Sequence, residues 1–101
     1  MAQLIFNFDK QSDVEIKGYK LRLTSYACPE QYDVFDKDGA LAGYLRLRHG
    51  YFCADYPDCG GETVYESNPA GDGMFEDHER LTELTKAIDA LDAVHKQRTQ
   101  K

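Results

Sequence analysis

The sequence predicts an α+β fold: an antiparallel β-meander of about five to six strands with one C-terminal helix packed on one face. Three observations carry this expectation. Apolar and polar residues alternate with period two through the first two thirds of the chain. Turn-forming pairs, Asp38–Gly39 and His49–Gly50, interrupt the alternation at short intervals. Beyond them the apolar residues Leu81, Leu84, Ile88, Leu91 and Val94 or His95 recur at helical spacing and build one stripe.

The elements follow in order. Leu4, Phe6 and Phe8 alternate with Ile5 and Asn7, which suits a short first strand, and Gln11–Ser12–Asp13 reads as a turn. Tyr19, Leu21 and Leu23 alternate with Lys20, Arg22 and Thr24, the pattern of a strand with one dry and one wet face. Gln31–Phe35 is a further strand, ended by Asp36–Lys37–Asp38–Gly39, where glycine supplies the positive φ that a tight hairpin needs. Leu41–Arg48 is its partner, with Gly43, Leu45 and Leu47 on one side and Tyr44, Arg46 and Arg48 on the other. Tyr51–Tyr56 and Glu62–Glu66 complete the sheet.

Pro69–Gly73 is a loop, and Asp72 or Asp77 is placed to cap the helix that follows. Glu76, Asp77 and Glu79 in the first turn and Lys96 and Arg98 in the last complement the helix dipole. Residues 1–101 therefore read as a single domain, with a sheet region over 1–67, a helix over 75–96 and a frayed tail over 97–101. The helix is expected to meet the sheet through Leu81, Leu84, Ile88 and Leu91.

Composition narrows the function. Seven Tyr and five Phe separate the chain from disordered sequences. Met1–Ala2–Gln3 is not a basic leader and Leu4–Phe8 is too short for a signal core, so a cytoplasmic protein is expected, in a bacterial host cell if the chain is of phage origin. No apolar run reaches the roughly 18 residues of a membrane span. Three cysteines, an odd number, point to free thiols in a reducing compartment.

The net charge of −6 is unevenly placed. Residues 1–54 are balanced, residues 80–101 carry a net +2, and residues 55–79 hold eight acids with no Lys or Arg. Duplex nucleic acid requires the opposite sign on the contacting face, so direct duplex binding is disfavoured.

Motifs for chemistry are weak. Cys53 and Cys59 are six positions apart, wider than zinc-knuckle spacing, and no second pair exists beside Cys28 and His49. The loop around Asp36 and Asp38 has Val34 and Leu45 where a calcium loop requires acids. Nothing marks a nucleophilic cysteine, and carboxylates this dense lie in water rather than in a pKa-shifting pocket. No catalytic residue, metal or cofactor is assigned, and the chain is read as a non-enzyme.

Two surfaces remain. The acidic block, through Asp55, Asp58, Glu62, Glu66, Asp72, Glu76 and Asp77, suits a protein partner with a basic surface. Alternatively, Lys20, Arg22, Tyr44, Arg46 and Arg48 on the wet sheet face suit a phosphorylated ligand. Each has a plainer counterpart: a solvated acidic loop, and a polar face whose cations answer acids across strands. The stretch Asp55–Tyr56–Pro57–Asp58–Cys59–Gly60–Gly61–Glu62 reads either as a turn or as a rigid loop whose glycines let a partner approach the backbone.

The run from Tyr51 to Glu66 around that stretch, followed by Gly71–Asp72–Gly73–Met74–Phe75–Glu76–Asp77 and the helix, resembles small proteins of bacteria and their phages. The resemblance covers the last two thirds of the chain. It implies a compact, accessory, non-enzymatic protein, a class in which some members block host defence enzymes. It assigns no residue. The sequence reading is thus a protein-binding module, an inhibitor or regulator of a host protein, with the phosphorylated-ligand binder as its rival.

Overall fold

The structure, a computed structural model, describes residues 13–25 and 30–99. The predicted Leu4–Phe8 strand and Cys28 lie outside the described residues. Among the described residues, six strands form one antiparallel sheet in sequence order: β1 (Asp13–Ile16), β2 (Tyr19–Ser25), β3 (Glu30–Phe35), β4 (Leu41–Arg48), β5 (Tyr51–Tyr56) and β6 (Glu62–Ser67). One helix, α1 (Asp77–Thr99), follows. This is the α+β meander with a C-terminal helix that the alternation predicts.

Asp13, read as part of a turn, belongs instead to β1, where it pairs with Arg22; Gln11 and Ser12 lie outside the described residues. The turn comes later, at Lys17–Gly18, where both residues have positive φ (53° and 87°). That is the backbone of a two-residue hairpin loop, and it recurs at His49–Gly50 (55° and 74°). Three register shifts interrupt the ladders: one on β2, between Leu23 and Ser25, one on β4, where Val34 faces Gly43 but Phe35 faces Leu41, and one on β6, where Ala54 faces Tyr65 but Asp55 faces Thr63.

Alternation sorts the side chains into two faces. On one, Leu21, Val34, Leu45, Leu47, Phe52 and Ala54 are fully buried beneath Leu84, Ala87, Ile88 and Leu91 of α1. Gly43 lets the helix come close, since a Cβ there would sit 2.6 Å from Leu91 Cδ1. Phe75, in the loop before the helix, stacks edge-on against Phe52 with ring centroids 4.8 Å apart.

Leu81 is a second correction: it is 65% exposed and takes no part in the core. The inward positions run 80, 84, 87, 88, 91 and 95, so Arg80 occupies the place in the first turn that Leu81 is expected to fill. The helix bounds also move from 75–96 to Asp77–Thr99. Phe75 turns into the core instead of starting the helix, and residues 97–99 continue it, with Arg98 reaching Glu62 on β6.

Candidate functional site

The acidic block separates into two groups. Asp72, Glu76 and Asp77 stand at the start of α1, whereas Glu62 stands beside its end, where Arg98 Nη2 bonds Glu62 Oε1 at 2.6 Å. At 1.5 Å per helical residue, Asp77 and Arg98 are about 30 Å apart.

At the helix start the acids organise the backbone. Glu76 is the N-cap: its carbonyl accepts from the N–H of Glu79 and Arg80, at 3.0 and 3.1 Å. Glu79 answers with its carboxylate, which accepts from the N–H of Glu76, Ala70 and Gly71 at 2.7 to 2.9 Å. Those donors hold the Glu79 carboxyl below its ordinary range, the Glu76 N–H foremost. Neither Asp72 nor Asp77 caps the helix by its side chain; Asp72 accepts from Gly50 N–H through its own carbonyl, and Asp77 pairs with Arg80 Nη1 at 2.8 Å. Beneath them Glu30, 3% exposed, accepts from Phe75 N–H, Tyr32 O–H and Arg80 Nε and Nη2. This buried pair ties β3 to the helix start.

On the β5–β6 hairpin the acids face outward. Asp55 closes the loop internally, accepting from Thr63 Oγ1 at 2.8 Å and Gly60 N–H at 3.2 Å. Asp58 accepts from the Cys59 N–H through its side chain and from the Gly61 N–H through its carbonyl. A Cβ on Gly61 would lie 2.2 Å from the Tyr56 carbonyl oxygen, so that glycine answers the loop's own backbone. Pro57 through Thr63 are all exposed. Glu66 accepts from the Tyr51 phenol at 2.6 Å, which pushes the Tyr51 pKa up to about 12. Burial, and next to it the charge of Asp58, raise the Asp33 carboxyl.

Lys20, Arg22, Tyr44, Arg46 and Arg48 do share the helix-free face, as their alternation requires, but acids interrupt them. One cross-strand row reads Arg22, Asp33, Tyr44, Asp55, Thr63 and the next reads Gln31, Arg46, Cys53, Glu66. Tyr44 is itself buried and donates to Gln31 Oε1 at 2.8 Å. The cations thus alternate with carboxylates across the strands rather than converging.

A third feature is not anticipated by the sequence reading. A cleft of about 560 Å³ opens between the Lys17–Gly18 turn, the β3–β4 turn and the last third of α1, lined among others by Tyr19, Asp36, Asp92, His95 and Lys96. His95 Nε2 lies 2.9 Å from Asp36 Oδ2, and its Nδ1 lies 2.8 Å from the Tyr56 hydroxyl. Tyr19 donates to Asp92 Oδ1 at 2.7 Å. Backbone N–H groups, that of Ala40 first, hold the Asp36 carboxyl below its usual range, and the Tyr19 phenol does the same for Asp92. The order carboxylate–imidazole–hydroxyl is that of a proton relay, yet both imidazole nitrogens already have protein partners and the hydroxyl belongs to a buried tyrosine. The arrangement locks helix, turn and sheet together.

Cys53 is buried, Cys59 is exposed and neither is disulfide-bonded; burial pushes the Cys53 thiol up. Among the described residues no three His, Cys, Asp or Glu side chains converge to hold a metal, and no helix is long and apolar enough to cross a membrane. Comparison with protein-family models, curated proteins and solved structures finds no match for the chain.

One signal for the polar anchors does exist in the sequence. Arg80 and His95 fall on the same helical stripe as Leu84, Ile88 and Leu91, and a polar residue at an inward position requires a buried partner. The partners, Glu30 and Asp36, are 50 and 59 residues away, and nothing local announces them.

Proposed function

We propose that this chain is a non-enzymatic protein-binding module that docks on a basic surface of its partner through Asp58, Glu62 and Glu66 of the β5–β6 hairpin. The observation that carries the reading is the contrast in how the carboxylates are used. At the helix start the Glu79 carboxylate is engaged in capping and Glu30 is buried against Arg80, whereas Asp58, Glu62 and Glu66 are exposed along one hairpin, where, among the described residues, Glu62 and Glu66 meet only the exposed side chains of Arg98 and Tyr51. A hairpin closed by its own hydrogen bonds presents charge with little ordering cost on binding. Carboxylates so displayed steer a basic partner and speed its encounter. The phosphorylated-ligand reading is weaker, because Asp33 and Glu66 sit among the cations it needs.

The resemblance read in residues 51–66 and 71–77 supports a partner in a bacterial cell and inhibition or regulation by occlusion as the mode of action. Quantitative capture from bacterial lysate tests the reading, comparing the wild type with the variant Asp58→Lys, Glu62→Lys, Glu66→Lys. A partner held by the wild type, released by added salt and lost from the variant is the expected result. Identical capture by both proteins contradicts it.

A further inference from the structure

We infer that the outer edge of β6 takes up an extended, lysine- or arginine-bearing segment of the partner as a seventh strand. The inference rests on the protein-binding reading above and names how the contact is made. Strand β6 is the last in the sheet and, among the described residues, pairs with β5 alone. Its outer side therefore carries N–H and C=O groups without a strand partner, the template on which strand addition works.

Edges are commonly blunted with Lys or Pro, and β6 (Glu-Thr-Val-Tyr-Glu-Ser) has neither. What it carries is negative charge on both faces. Glu62 lies on the helix side, opposite Tyr56, and Glu66 on the other, opposite Cys53. Glu83 of α1 adds a third carboxylate at the edge, accepting from Tyr65 O–H at 2.9 Å and Ser67 O–H at 2.8 Å. Asp58 stands in the adjoining loop.

This charge decides the occupant. A second copy of the chain would bring the same acids to the same edge, where Arg98 pairs with Glu62 and no Lys or Arg of residues 55–79 answers Glu66. Like charges facing across strands are destabilising, and opposite charges are favourable. An extended segment with basic residues pointing to both faces meets Glu62 and Glu83 on one side and Glu66 on the other, while its backbone completes the ladder.

The test uses the full chain and two synthetic peptides of repeating lysine-lysine-valine-valine, which set lysines on both faces of an extended strand. One has a free backbone; the other has the same side chains with alternate amides N-methylated, which keeps the charge and removes the ladder donors. Binding is read by titration and by hydrogen exchange. The expected result is slowed exchange at alternate amides of Glu62–Ser67 with the first peptide, and binding about tenfold weaker with the second, from the lost ladder bonds. Equal binding of both without protection in β6 overturns strand addition and leaves a contact made by side-chain charge. Binding of neither overturns both strand addition and the charge-led contact. Protection of β6 in a dimer of the chain alone assigns the edge to a second copy and overturns the inference as well.

Discussion

The β5–β6 hairpin and the start of α1 are equally acidic in sequence and differ in what their carboxylates do. At the helix start Glu79 satisfies three backbone donors, and Glu30 is buried against Arg80. At the hairpin Glu62 and Arg98 meet with their side chains 61% and 53% exposed. Negative charge near a helix N-terminus is structurally useful because four N–H groups there lack helical partners. A strand margin makes no such demand, and there, among the described residues, Glu62 and Glu66 meet only the exposed side chains of Arg98 and Tyr51. The charge count of a segment therefore says little about function until the backbone's own needs have been met.

The comparison breaks most readily at Arg80. Replacing it by Ala leaves Glu30 buried without its cation, and about 3–5 kcal/mol of stability is expected to be lost in denaturant unfolding. The corresponding change at the hairpin, Arg98→Ala, exposes Glu62 to water and is expected to cost less than about 1 kcal/mol. Equal losses at the two sites would erase the distinction.

Core truncations calibrate the same helix. Leu84→Ala is expected to cost about 2–5 kcal/mol and Leu81→Ala about 0.5 kcal/mol or less, because only the first is buried. A similar pair of melting curves would restore Leu81 to the core.

Acid titration sharpens the contrast further. The folded Glu79 carboxyl titrates below its unfolded range, so its contribution is present above that range, near pH 4.3, and disappears as pH falls through the folded value. Glu79→Gln is expected to flatten the acid limb of the stability profile, as is Asp36→Asn, whose carboxyl is depressed in the same direction. At the hairpin the smallest effect is spectroscopic: in Glu66→Gln the Tyr51 phenol is expected to titrate nearer about 10. An unchanged phenolate titration would remove Glu66 as the cause of the raised value.

Much of this fold is legible in the sequence, and the exceptions have physical reasons. Strands β2 to β6 follow from alternation and from Asp38–Gly39 and His49–Gly50. Strand β1 is missed because its turn is Lys17–Gly18, and lysine is not among the residues that advertise a positive φ. Arg80 is missed because a leucine at the next position offers itself to the stripe. The division of the acidic block is invisible because α1 separates its two parts in space, and a charge count along the chain carries no such distance. The Asp36–His95–Tyr56 lock depends on three elements meeting, which no spacing in one strand or helix encodes.

The central claim is that the hairpin carboxylates guide a basic partner while the helix-start carboxylates hold the fold. The most direct measurement is the association rate with the partner captured in lysate, at low and at physiological salt. It is made for the wild type and for the variant Asp58→Lys, Glu62→Lys, Glu66→Lys, each first shown to unfold at the same denaturant midpoint. The account predicts a slower association for the variant, with the difference largest at low salt and shrinking as salt screens the charges. A folded variant that associates at the wild-type rate in both salts would contradict it.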